Sequence, residues 1–271
     1  MKPAAFDYVR PTTLDDAIDV LTTWPQSVIL AGGQSLVPML NMRLARPSAV
    51  VDIGRLPLRE IAQIAGGVRV SALVTHLQLE RSADINAYLP LLAAAAHLIG
   101  HVAIRSRGTI GGSMAHADPA AQELAVAIAL DAKVEVTSSM GLRQIAASEL
   151  VVGRWTTVLE PGDMVTAVEF PLPPSGAGWG IAEFKRRTGD FGLAGACALL
   201  WPGGGRLTAF GLTSAAVRID EAVAAGDPAQ VAKRAASMIE LANRRDHAWQ
   251  LAVFEAVVEE AVEEAARRMV T

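Results

Sequence analysis

Apolar positions along this 271-residue chain switch repeatedly between a helical and an extended period. Leu14, Ala17, Ile18 and Leu21 share one face of a 3.6-residue repeat, behind a Thr12 or Thr13 cap and ahead of Pro25, which predicts a helix. Val28 to Ala31 is a continuous apolar run and predicts a short buried strand ending at Gly32-Gly33. Leu36 to Arg43 predicts a second helix, and Ala49 to Ile53 the next strand. Strand, helix and strand of this length make a small α/β unit. Val68 to Ser71 reads as a strand after Gly66-Gly67, followed by helices at about 75–82 and 87–99. Asp118 to Leu130 reads as a helix and Lys133 to Thr137 as a strand. Met164 to Phe170 alternates in strand fashion and stops at Pro171.

Pro171, Pro173, Pro174, Gly176 and Gly178 then mark a boundary, which predicts one domain over 1–173 and another over 178–271. Beyond it, Trp179 to Arg187, Gly195 to Trp201 and Arg206 to Ser214 read as strands of a meander, and 228–243 and 246–269 as helices. Glu259, Glu260, Glu263 and Glu264 precede Arg267 and Arg268 on the last helix, a solvated face that also complements the helix dipole. No internal repeat or low-complexity tract is present.

Composition narrows the class. The chain is 51% hydrophobic and 19% charged with a net charge of −4, which is globular and carries no basic nucleic-acid footprint. Its most apolar stretch, Leu89 to Ile99, is too short to span a bilayer and contains His97. The opening Met1 to Asp7 lacks the apolar core of a secretory signal, so the expected compartment is the cytoplasm. Cys197 is the single cysteine, which excludes an intramolecular disulfide and a four-cysteine iron–sulfur cluster on this chain. It sits in an apolar run, Leu193 to Leu200, and is expected to be a buried structural thiol. Of the five histidines (His76, His97, His101, His116 and His247) only His97 and His101 have metal-like spacing; no third ligand is nearby, and no metal is assigned. Trp155, Trp179, Trp201 and Trp249 are expected to anchor cores or interfaces.

The chemistry lies in two glycine pairs, Ala31-Gly32-Gly33-Gln34-Ser35-Leu36-Val37-Pro38 and Thr109-Ile110-Gly111-Gly112-Ser113. A glycine pair turns sharply and leaves no Cβ between its amides and a ligand. Successive amides form an anion-binding concavity, and a following helix N-terminus adds partial positive charge. Two such segments suit the two phosphates of a dinucleotide, with Arg105, Arg107 and His116 near enough in sequence to assist. No Gly-x-Gly-x-x-Gly turn and no Gly-Lys-Ser/Thr occurs, which argues against a Rossmann domain and a P-loop.

These two segments, together with Arg186-Arg187-Thr188-Gly189-Asp190-Phe191, resemble in order and spacing the FAD-binding medium subunit of the xanthine dehydrogenase and carbon monoxide dehydrogenase family, the molybdenum hydroxylases. The resemblance covers nearly the whole chain. It implies an α+β fold: two α/β FAD-binding subdomains (about 1–55 and 56–173), then a C-terminal domain of a three-stranded antiparallel sheet with a helical bundle. It further implies that residues 31–38 and 109–113 wrap the pyrophosphate through backbone amides and the Ser35, Thr109 and Ser113 side chains. Ile99 is implied beside the adenine, Val165 as a backbone contact on the adenine side, Lys185 near the isoalloxazine, and Asp190-Phe191 on the loop approaching it. The family commonly has an acid where this chain has Gln122, with Glu123 one place later; the ribose contact falls to Gln122 or Glu123, and Asp118 either contributes there or caps the following helix.

The implied role is electron transfer rather than substrate chemistry: FAD on this chain, [2Fe–2S] clusters on a small subunit, and a molybdenum–pterin cofactor on a large subunit where substrate is oxidised. The acceptor would be NAD, a quinone, oxygen or another carrier. No catalytic residue is assigned to this chain. A self-sufficient flavin oxidoreductase would instead turn over substrate alone, and a scaffold that has lost FAD would bind none. The glycine reading also expects valine at Gly33 or Gly111 to strip the cofactor and spare the fold.

Overall fold

The computed structural model describes residues 2–242 and 247–270. The expected helix end at 243 and the His247 side chain lie outside the described residues. Among the described residues three larger sheets follow one another along the chain, beside one two-stranded hairpin. In the first, β1 (Asp7–Val9), β2 (Val28–Leu30) and β3 (Ala49–Asp52) are parallel in the order β1-β3-β2. Helix α1 (Leu14–Thr23) begins where Thr13 Oγ1 accepts from Asp16 N at 3.2 Å and buries Ala17, Ile18 and Leu21, the face that the repeat selects. Helix α2 (Leu36–Asn41) connects β2 to β3 and stops short of Arg43, whose φ is +58°.

The second sheet is antiparallel throughout, so this unit is α+β rather than the α/β subdomain expected. β4 (Ile61–Ile64), β5 (Gly67–Ser71), β6 (Lys133–Ser138) and β7 (Gly141–Ala146) join a long strand at Met164–Pro171. A hairpin of β8 (Val151–Gly153) and β9 (Thr156–Thr157) precedes that strand, which is therefore β10; the order is β4-β5-β10-β6-β7. The helices are α3 (His76–Arg81), α4 (Ala83–Tyr88), α5 (Pro90–Leu98), α6 (Val102–Arg105), α7 (Ile110–His116), α8 (Gln122–Ala129) and α9 (Ala147–Leu150). Pro90 starts α5, because proline takes the first helical turn without losing a hydrogen bond, and so divides the segment expected as one helix from 87. All eight residues of α8 are buried.

The third sheet holds four strands rather than three: β11 (Gly178–Phe184), β12 (Ala194–Trp201), β13 (Gly204–Phe210) and the two-residue edge β14 (Val217–Arg218). β14 is too short to leave a period in the sequence. Helices α10 (Pro228–Met238) and α11 (His247–Arg268) cover one face, burying Ala182, Ala196, Ala198, Leu207 and Ala209. The opposite face carries Cys197, Leu199 and Phe210 into the core formed with α5, α8 and the second sheet. There burial pushes the pKa of the Cys197 thiol up to about 12, as suits a structural cysteine.

β11 lies against α11 at backbone distance. A Cβ on Gly180 would overlap the Ala261 carbonyl, and one on Gly178 the Ala265 carbonyl. Gly180→Ala is therefore expected to lower stability in urea unfolding by ~2 kcal/mol or more, since the clash is with backbone that has no rotamer to yield. On the outer face of the second sheet, Arg69 donates from Nε and Nη2 to Glu135 at 2.9 and 2.6 Å and holds that carboxyl below its ordinary range. A lowered folded value means stability is present above the unfolded pKa of about 4.3 and is lost as pH falls through the folded one. Arg69→Met should move the acid limb of the stability curve to higher pH; an unmoved limb would show that this pair contributes nothing.

Candidate functional site

The first glycine segment forms the edge of a cleft of about 590 Å³ between the first and second sheets. β2 delivers the chain to Ala31, and Gly33 at φ +72° turns it into α2, with Val37 N donating to Gly33 O at 3.1 Å. Gln34 Nε2 donates back to Gly32 O at 3.1 Å and closes the turn. Ser35 precedes α2 without making a side-chain cap, so its hydroxyl is not used by the helix. Ala31, Gly32, Gly33, Gln34, Val37 and Pro38 line the cleft; Ser35 and Leu36 do not.

Across the cleft stand Ser106, Arg107 and Thr109. A Cβ on Gly32 would overlap the Arg107 carbonyl, so the absence of a side chain lets the two segments touch. Arg10, Arg59 and Arg107 line this space against the single carboxylate of Asp52. Arg10 Nε pairs with Asp52 at 3.2 Å, and Tyr8 OH donates to the same carboxylate. Arg59 reaches both sheets, donating to Gly54 O at 3.1 Å and Leu73 O at 3.2 Å. The balance of charge favours an anion.

The second glycine pair is not a loop but the first turn of α7. Thr109 is its N-cap, accepting from Gly112 N at 3.2 Å. Ile110 and Gly111 are buried and face away from the cleft. Gly111 N donates to Ala72 O at 3.0 Å, and a Cβ there would lie 2.9 Å from the Ala72 Cα and carbonyl. Gly111 thus serves backbone packing and Gly33 a positive φ that valine resists, which corrects the expectation that valine at either position spares the fold. Gly112 is the member of the pair turned toward the first segment: a Cβ on it would stand 3.9 Å from the Ala31 Cβ. Ser113 is half-buried on the same helix.

Beneath this turn, His76 Nδ1 and Glu123 Oε1 meet at 2.7 Å, both buried, and His76 N donates to Gly108 O at 3.0 Å. Glu123 is fully enclosed, with Oε1 on His76 and Oε2 sealed without a partner among the described residues, so it has no open face for a ribose contact. Asp118 does not cap α8 either: Oδ1 accepts from Ala120 N at 2.8 Å in a local turn, and Ala121 holds the cap position. Its Oδ2 accepts from Trp155 Nε1 at 3.4 Å.

Gln122, Lys185 and Ile99 form a second group outside the cleft. Gln122 Nε2 donates to Glu183 Oε2 at 2.8 Å; Glu183 Oε1 pairs with Lys185, and Lys185 Nζ donates to Leu98 O at 3.0 Å. Ile99 follows directly and ends α5, its carbonyl accepting from Arg105 at 3.1 Å. Arg105 Nε and His97 Nδ1 share the Glu80 carboxylate at 2.8 and 2.9 Å, so His97 is paired with Glu80. His101 abuts Gly189, which brings the Asp190-Phe191 loop against the end of α5, with Phe191 largely exposed. Val165 is buried in β10 opposite Val136, beside a register irregularity. Sequence pattern misses Arg10, Asp52 and Arg59 in the cleft, which lie outside both glycine segments, and Glu183, one acidic position in an alternating strand that only the fold brings to Gln122.

The family described as the FAD binding domain in molybdopterin dehydrogenase matches residues 4–173. Over 201 residues the chain is 44% identical to the nicotine 6-hydroxylase medium subunit of Paenarthrobacter nicotinovorans, covering 74% of this chain and 70% of that one. The carbon monoxide dehydrogenase medium chain of Afipia carboxidovorans is 36% identical over 225 residues, 80% of this chain and 76% of the relative. Among solved structures, carbon monoxide dehydrogenase from Hydrogenophaga pseudoflava lacking the Mo-pyranopterin moiety matches with a TM-score of 0.94 at 32% identity over 100% of both chains. Quinoline 2-oxidoreductase from Pseudomonas putida 86 matches with 0.93 at 32%, over 98% of this chain and 99% of that one. These matches define a flavin-binding unit of a molybdenum-containing oxidoreductase. The chain belongs to the family of FAD-binding medium subunits of molybdenum hydroxylases. Among the described residues no helix is long and apolar enough to cross a membrane.

Because Gly111 packs on Ala72, Gly111→Val should fail in folding before it fails in binding. Its urea midpoint without added flavin should fall sharply, whereas an unchanged midpoint would place Gly111 at the ligand after all.

Proposed function

We propose that this chain holds FAD with its pyrophosphate in the cleft between the first glycine segment and Thr109, and that it carries electrons from partner [2Fe–2S] clusters to an external acceptor. The observation that carries the reading is the cleft itself. Its size falls within the roughly 300–1,000 Å³ of small-molecule sites. Side chains are missing where the backbones of two segments converge, and three arginines face one aspartate. These features suit a dianionic pyrophosphate held by amides and guanidinium groups.

On this reading, the backbone of Ala31 to Gln34 and Thr109 supply the polar wall and Arg59 and Arg107 the charge. Gly112 and Ser113 flank it from α7, and Gln122, Lys185 and the Asp190-Phe191 loop address the rest of the cofactor. When bound, FAD supplies a junction between one-electron and two-electron carriers. The chain's own residues would orient it, neutralise its phosphates and exclude water from the Gly32–Arg107 contact. The relatives are named as medium subunits or medium chains, which supports an iron–sulfur small subunit and a molybdopterin large subunit as partners in a heterotrimer. Their names span nicotine and carbon monoxide, which fits a substrate pocket on another subunit and leaves this chain a shared module. The acceptor is NAD, a quinone, oxygen or another carrier.

The purified chain should show a flavin spectrum and release FAD near one-to-one on heating. Arg107→Glu should leave the apo fold intact, because that side chain is exposed, while weakening FAD binding about tenfold or more in a salt-dependent way. Unchanged affinity would remove the pyrophosphate from this cleft. Stripping the flavin should also lower the melting temperature, since a ligand at a hundred times its Kd contributes about 2.7 kcal/mol to the folded state.

A further inference from the structure

The Gln122–Glu183 contact joins α8 to β11 across the junction between the second and third sheets, and it is almost closed to solvent. Gln122 is 7% exposed and the Glu183 side chain 2%. Glu183 lies on the face of β11 that also carries Trp179 and Ile181 toward the central core. Gly192 leaves room for it, since a Cβ there would stand 2.9 Å from Glu183 Oε2; its register partner on β12 is Gly195, where a Cβ would overlap the Phe210 ring. The carboxylate spends one oxygen on Gln122 and the other on Lys185.

An ionised carboxylate only accepts hydrogen bonds, so it decides which end of a glutamine amide faces it. Gln122 must turn its NH₂ to Glu183, and the carbonyl oxygen is the end left over. That oxygen takes no hydrogen bond from the described residues and is not sealed from solvent. A buried side chain with a free acceptor at its open end is suited to a hydroxyl donor.

We propose that Glu183 is a positioning residue for the cofactor: it fixes the Gln122 amide with its carbonyl oxygen outward, ready to accept from a sugar hydroxyl of FAD, and pins Lys185 beside it. The proposal rests on the assignment of FAD to this chain. It makes the neutral Gln122 a matched partner of Glu183. An acid at 122 would then be harmful here, because it would set two carboxylates against each other at hydrogen-bond distance. Exchanging the two groups should restore the match. In Q122E/E183Q the new amide donates to position 122 and accepts from Lys185, the total charge is unchanged, and the outward oxygen at 122 still accepts.

The test is FAD titration of the deflavinated full chain by quenching of flavin fluorescence, with the apo melting temperature of each variant measured alongside. Gln122→Leu should bind FAD about tenfold more weakly, the loss of one hydrogen bond, and should also lower apo melting because Glu183 Oε2 is left buried without its donor. Gln122→Glu should also lose about tenfold or more, and Q122E/E183Q should recover to within about threefold of the parent. Undiminished binding by Gln122→Glu, or a double variant no tighter than that single one, would overturn the positioning role. Failure of the parent chain itself to bind FAD would overturn the functional assignment first, and this inference with it; a parent that binds while the exchange fails overturns this inference alone.

Discussion

β12 is buried on both faces, and the placement of every other layer depends on that. Ala194, Ala196 and Ala198 pack on α10 and α11, while Cys197 and Leu199 pack toward α5 and α8. Small residues on one face let α11 lie at backbone distance, and the alternate face contributes directly to the core beneath the second sheet. The third sheet is therefore a middle layer, not an appendage. Its side strand β11 is carried to the start of α8, which is how Glu183 and Lys185 reach Gln122 and Leu98. A shift of one residue in the β11–β12 register would turn Glu183 toward the apolar helices and Ala182 toward Gln122.

Close backbone approach is the second constraint, and it changes what the glycines mean. Gly32 allows contact with the Arg107 carbonyl, and Gly111 allows contact with Ala72. Both contacts are made within the chain before any ligand is considered. Gly33 is needed for its positive φ. The concavity is a by-product of joining two sheets through segments without side chains, and the arginines around it give that space its sign. The His76–Glu123 pair under α7 belongs to the same joint, since His76 also bonds the Gly108 carbonyl through its backbone. A buried pair of this kind is destabilising if halved, so it holds the turn by making alternatives costly.

Much of the fold is legible in the sequence because local rules set it. Thr13, Ala17, Ile18 and Leu21 mark α1 by cap and period, and β10 is marked by alternation and a terminal proline. β7 is not legible, because an exposed strand has no buried face to print a pattern. α8 starts later than Asp118 predicts because that side chain satisfies its neighbour Ala120 in a turn, outcompeting a cap. The third sheet's fourth strand has two residues and no period at all. At the site, the first segment can be read from its residues, since a glycine turn before a helix is local chemistry. The burial of Gly111 on Ala72 and the bond from Gln122 to Glu183, 61 residues away, are tertiary facts with no local trace.

The two groups of candidate residues differ in kind, and that difference bears on the proposed role. The cleft group is backbone and arginine, complementary to phosphate in any nucleotide. The second group is a closed chain of donors and acceptors from Gln122 through Glu183 and Lys185 to the Leu98 carbonyl, in which each orientation is set by the next. A phosphate grip supplies affinity without fixing which end of a dinucleotide lies where. Orientation must come from polar groups with a defined sense, and here that sense originates in one buried carboxylate. An electron carrier needs its ring held at a fixed place between donor and acceptor, and under the proposed assignment a rigid polar chain away from the phosphate cleft would meet that need. On the proposed reading, the network would do for orientation what the arginine-lined cleft would do for affinity.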